Sequence, residues 1–214
     1  MRWLLIIAAS LSTSTMFRVP AMHGAAPQAA REARPGVVLD NPRALVYRVT
    51  AGLLTGVNHG PAVVVPLEDG PGAKAGSAVW VEDAAASSTT SDASGAIVIV
   101  QPRQQAVPKT APAGSKPGDA PFIGMSFNPI FENDRVAVIR ARMEVGAREG
   151  FHTHGSDTIV VHLSGGEIED TAYGKTVVNR WKRGDVEFEG LGTSHSARNV
   201  GAAVDVVLVA LKRQ

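Results

Sequence analysis

The feature that most constrains this chain is a period of two. Ile139-Arg140-Ala141-Arg142-Met143-Glu144-Val145 alternates apolar and charged residues, and Asp185-Val186-Glu187-Phe188-Glu189 does the same. Successive side chains of a strand point to opposite faces, so such runs suit strands with one face buried and one face wet. Shorter β-branched runs at 63–65, 78–81, 96–100, 158–163, 175–181 and 204–211 obey the same logic. Glycine and proline punctuate them, and no long helical stripe follows the N-terminal region. Hydrophobic residues make up 44% of the chain, enough for a core. Many short strands with Gly-rich turns predict an all-β sandwich or barrel.

The N-terminus reads as an address. Met1-Arg2 precedes a nine-residue apolar run at 3–11, a Ser/Thr stretch and recurring small residues up to Ala26. That is the order of a secretory signal peptide over 1–26, with cleavage after Ala21 or Ala26. Nine apolar residues are too few to span a bilayer, which takes about 20. A secreted or periplasmic protein with no integral span after signal removal is expected, and His23 leaves with the signal.

Composition excludes several classes. Lys and Arg number 21 against 20 Asp and Glu, and removing 1–26 takes away Arg2 and Arg18 and leaves a formal charge of −1. A near-neutral chain without a basic cluster is a poor nucleic-acid binder. The absence of cysteine excludes disulfides, thiolate metal sites and Cys nucleophiles. A metal must be held by His, Asp or Glu.

Two stretches read as loose: the small, polar 84–95 and the Pro-rich 104–121, which carries Pro108, Pro112, Pro117 and Pro121. The latter is an extended linker. It separates halves at 37–103 and 122–214 that resemble each other. Asn41-Pro42-Arg43 sits beside Asn133-Asp134-Arg135, His59-Gly60 beside His154-Gly155, and Leu67 beside Leu163. Each half closes on a β-branched run. Such ordered likeness predicts a duplicated barrel.

His152-Thr153-His154 puts two imidazoles on one face of an extended strand, where they can converge on one ion. Gly146 lies six residues before His152 and Gly165 eleven after His154, while Gly184, Gly190, Gly192, His195 and Asn199 form a second spaced set. These spacings resemble the two signature motifs of the cupin superfamily. The matched stretch is 146–199, and flanking strands extend the likeness over 122–211.

The resemblance implies a jelly-roll-like antiparallel barrel with one divalent ion, Fe, Mn, Zn or similar, held by His152, His154 and His195. The first half becomes a degenerate, metal-free copy, because only His59 aligns there and Val57 stands at the place of His152. The position of the family's Glu ligand falls on Thr158, a poor ligand for a divalent ion, with Asp157 beside it. The coordination set is therefore three His alone, or three His plus Asp157.

His162 reads as a hydrogen-bonded interior side chain, with substrate contact as the other reading. Asn199 reads as the residue that fixes the turn after His195. Tyr47, Trp80 and Trp181 read as core or interface packing. The function implied is an exported, dioxygenase-like metalloenzyme acting on a small organic acid or diketone-like molecule. The alternatives are a non-catalytic, metal-dependent ligand-binding module and a storage-like barrel. The family often dimerises, so a homodimer is compatible with the resemblance.

Overall fold

The computed structural model describes residues 35–51, 53–54, 56–86, 95–103 and 122–212. The signal segment, with His23, and the Pro-rich linker lie outside the described residues, as does most of 84–95. Thirteen strands and no helix are found among the described residues. The first half contributes β1 (Val37–Asp40), β2 (Ala44–Thr50), β3 (Ala62–Pro66), β4 (Val79–Val81) and β5 (Ala96–Pro102). The second contributes β6 (Phe122–Glu132), β7 (Val136–Thr153), β8 (Asp157–His162), β9 (Gly166–Ala172), β10 (Lys175–Trp181), β11 (Val186–Glu189), β12 (Ser194–Asn199) and β13 (Val204–Leu211). The β-branched runs of the sequence become strands, and the runs at 175–181 and 204–211 match β10 and β13 residue for residue.

The first half forms a five-stranded sheet of order β1-β2-β5-β3-β4. The second forms an eight-stranded sheet, β10-β9-β12-β7-β13-β8-β11, with β6 on β7. All pairs are antiparallel. The long β7 makes the sheet curl. Residues 136–143 pair with β13, whereas 148–153 pair with β12. Gly146 sits between the two registers at φ +75°, a left-handed value that suits glycine. One strand thus serves both walls of a barrel-like cavity.

The five-stranded order β1-β2-β5-β3-β4 recurs in the second sheet as β6-β7-β13-β8-β11. Local details recur with it. Asn41 Oδ1 accepts from the N–H groups of Arg43 and Ala44, at 2.8 Å each, and Asn133 Oδ1 accepts from those of Arg135 and Val136, at 2.8 and 2.9 Å. Gly76 donates its N–H to Pro66 O and Gly184 donates to His162 O, both at 2.8 Å and both with positive φ. The hairpin β9-β10 and strand β12 have no counterpart strand among the described residues of the first half, which is one sheet there and not a closed barrel. His59 hydrogen-bonds Asp83 through Nδ1 at 2.8 Å at the surface.

Corresponding faces of the two sheets pack on each other. Val46, Val63, Val65, Val98 and Val100 meet Val138, Ile159, Val161, Val207 and Val209 in one core. Each fully buried Val or Ile contributes about 1.5–3 kcal/mol, so this seam is a principal source of cohesion. Val186 and Phe188 point into it. The alternation of β11 therefore does not separate a buried face from a wet one. Its apolar residues face the other sheet, and Glu187 and Glu189 face the barrel cavity.

Tyr47 is buried in a second core on the far face of the first sheet, and its hydroxyl accepts the Asn58 N–H at 3.2 Å. Trp80 packs against the seam and donates from Nε1 to Glu82 at 2.7 Å.

Candidate metal centre

The eight-stranded sheet encloses a cavity of about 250 Å³. Its walls are apolar toward Met143, Ile168, Val204 and Val206, and polar toward the end of β7. His152 and His154 lie at that end of β7, and His195 lies opposite His152 on β12. The ring centroids are 5.0 Å apart for His152 and His154, 4.6 Å for His152 and His195, and 4.9 Å for His154 and His195. One nitrogen from each ring lies within 4.8 Å of the other two, so the three side chains can hold a metal ion.

The backs of the rings are tied down. His152 Nδ1 is 3.0 Å from Gly150 O, His195 Nδ1 is 2.9 Å from Asp170 Oδ1, and His154 Nδ1 is 3.4 Å from Glu189 Oε2. These partners leave the Nε2 atoms turned inward, and those of His154 and His195 stand 3.0 Å apart. Two nitrogens at about 2.0–2.1 Å from one zinc-like ion are separated by about 3.3 Å in a tetrahedron. The residues therefore fit a first-row divalent metal, with acceptors behind the imidazoles that orient them.

The electrostatics follow from burial and crowding. Burial, with His195 and His152 nearby, pushes His154 down to about 4. Burial also opposes the charge on His195, but the Asp170 hydrogen bond and the carboxylates of Glu189 and Glu149 outweigh it and push this imidazole up to about 9. Burial raises Glu187 to about 7, and burial together with Glu187 raises Glu189 to about 8. Glu149 is also raised, chiefly by burial.

The other sequence candidates separate cleanly. Thr158, Val160 and His162 line the cavity, whereas Ile159 and Val161 face the first sheet. Asp157 is not brought to the histidines. Its Oδ2 accepts from Arg43 Nε at 2.7 Å and its Oδ1 from the Leu191 N–H at 2.9 Å. Strand parity turns it to the side opposite Thr158, and a cation on that side engages it. The coordination set with Asp157 is therefore replaced by one without it.

His162 is 1% exposed, and neither ring nitrogen has a hydrogen-bond partner. Glu187 is 4.0 Å away, too far to bond, and Trp181 stacks on the ring at 4.5 Å. The expectation of a hydrogen-bonded interior histidine is corrected accordingly. Asn199 donates from Nδ2 to Met143 O, Glu144 O and Ala202 O and accepts the Gly201 N–H, so it fastens the β12–β13 turn.

The cavity carboxylates were missed in the sequence. Glu187, Glu189 and Asp170 sit on alternating or charged strands that read as solvent-facing. Glu149 is three residues before His152, which is the wrong parity for a regular strand. A bulge resolves this: His195 pairs with His152 and Ala197 with Glu149, so two residues of β7 lie where β12 has one.

No family model matches the sequence, and no curated protein matches it. Among solved structures the chain is similar to a cupin domain from Bordetella pertussis, at 24% identity over 43% of this chain and 97% of that one, with a TM-score of 0.40. It is similar to KdgF from a Halomonas species, at 20% identity over 42% and 81%, TM-score 0.36. An RmlC-like cupin from Desulfovibrio desulfuricans aligns at 23% identity over 40% and 81%, TM-score 0.34. With both of its own glycine–histidine motifs folded onto one curled antiparallel sheet, three imidazoles meeting in the cavity, residues 122–212 are consistent with the cupin jelly-roll fold.

Proposed function

We propose that the protein is an exported, mononuclear metal-dependent enzyme of dioxygenase-like type, acting on a small diketone-like molecule. The observation that carries this reading is the convergence of one ring nitrogen from each of three histidines, with acceptors behind His152 and His195. An Fe, Mn or Zn ion bound there supplies a Lewis acid and open positions for a chelating substrate. The chain supplies the rest. Apolar walls take up the substrate's carbon skeleton and exclude water. Glu149, Asp170, Glu187 and Glu189 all face the cavity, and Arg142 is the one Lys or Arg among the residues that line it. That balance disfavours an organic acid and favours a neutral β-diketone. Glu187, raised by burial to about 7, can accept the acidic proton on the carbon between two carbonyls.

The test is elemental analysis of the mature protein beside His152→Ala, followed by oxygen-uptake assays with neutral diketones and with small acids. Metal in the wild type, its loss in the variant and turnover of diketones support the proposal. A metal-loaded protein that turns over neither class refutes the enzymatic part. A non-catalytic ligand-binding module is the second reading, favoured by Thr158 at the place of the family's carboxylate. Thermal stabilisation by a diketone without product formation distinguishes it.

A further inference from the structure

We propose that Glu149 is the carboxylate ligand of the metal held by His152, His154 and His195, delivered from in front of the histidine pair by the bulge in β7. The inference rests on the metal-centre reading above and goes beyond it by giving the site a fourth protein donor. At Thr158, the position after the histidine pair, there is no carboxylate to offer.

The geometry separates Glu149 from the other acids in the cavity. Asp170 is behind His195, bonded to its Nδ1. Glu189 is behind His154, beside its Nδ1. Glu187 lies toward the buried His162. Glu149 Oε2 stands 3.9 Å from His195 Nε2, beside the group of three histidine nitrogens that lie within 4.8 Å of one another but outside it. Its backbone is held on both sides, opposite Ala197 on β12 and opposite Phe122 on β6. The bulge thus presents the side chain on the same wall as His152. A carboxylate there partly neutralises the ion and occupies one of its positions, which favours a neutral substrate at those that stay open.

The test is zinc and manganese titration of the full-length apo-protein as wild type, Glu149→Gln and Glu187→Gln. Glu149→Gln is expected to weaken zinc binding by more than about ten-fold, with a changed Co²⁺ absorption spectrum, while Glu187→Gln stays within about two-fold. Equal affinity and spectra for Glu149→Gln and wild type overturn the proposal and leave the histidine site standing. A wild type that binds no metal overturns both. A zinc-loaded wild-type crystal structure decides the matter without a variant. A Glu149 oxygen at about 2.0–2.2 Å from zinc supports the assignment, and one beyond about 3 Å refutes it.

Discussion

Arg43, at the entry to β2, donates from Nε to the Asp157 carboxylate at 2.7 Å, and this pair bolts the first sheet to the strand that supplies one wall of the histidine cavity. The two side chains are 12% and 11% exposed. Both charges are largely withdrawn from water and offset each other.

Removing one member of such a pair strands the other. Arg43→Ala and Asp157→Asn are each expected to destabilise the protein by about 3–5 kcal/mol, read by urea unfolding. The removal of both at once, Arg43→Met with Asp157→Leu, is expected to cost much less than the sum. Additive losses would show that the pair is not coupled.

His162 poses the opposite case. A buried imidazole with two unbonded nitrogens forgoes the hydrogen bonds it had in water, and burial keeps it neutral, down to about 4. His162→Phe keeps the stacking on Trp181 and removes the unsatisfied atoms. It is expected to stabilise the fold by about 1–3 kcal/mol, seen as a higher Tm. A lower Tm would mean that a bound water or ligand satisfies the ring in solution.

How much of this was legible in the sequence depends on whether a local pattern held. The His152 and His154 pair was readable because β7 is extended there, and His195 was readable from glycine spacing. The edges of β10 and β13 came from β-branched runs alone. Glu149 was hidden because parity assumes an unbroken strand, and β7 bulges. Glu187 and Glu189 were hidden because alternation shows that a strand has two kinds of face, not what covers each one. Here the polar face lines a cavity and the apolar face meets a second sheet. The Arg43–Asp157 pair joins residues 114 positions apart, beyond the reach of any periodicity.

Asp170 should matter to metal binding without touching the metal. Its carboxylate fixes the His195 ring through Nδ1 and increases the basicity of the inward nitrogen. Asp170→Asn is expected to lower zinc affinity by about 10–100-fold while leaving the fold intact by circular dichroism. Wild-type affinity in this variant would remove Asp170 from the site's working parts.

The raised His195 fixes the direction of the pH response. Its folded-state value of about 9 lies above the ordinary 6.5, so the proton it holds stabilises the apo-protein fully below about pH 6.5, and that stability is lost as pH rises through 9. Glu187 and Glu189 act in the same sense between about 4.5 and their raised values of about 7 and 8. His154 and His162 act oppositely. Both are depressed to about 4, so the unfolded chain takes up protons first as pH falls below 6.5, and stability declines toward pH 4. The Tm of the apo-protein is therefore expected to fall between pH 6.5 and 9. Because a metal must displace the His195 proton, zinc affinity is expected to rise across the same interval, with proton release at pH 7. Calorimetric titration in two buffers of different ionisation enthalpy measures that release. Buffer-independent heats, with zinc bound, would show that His195 enters the site already neutral.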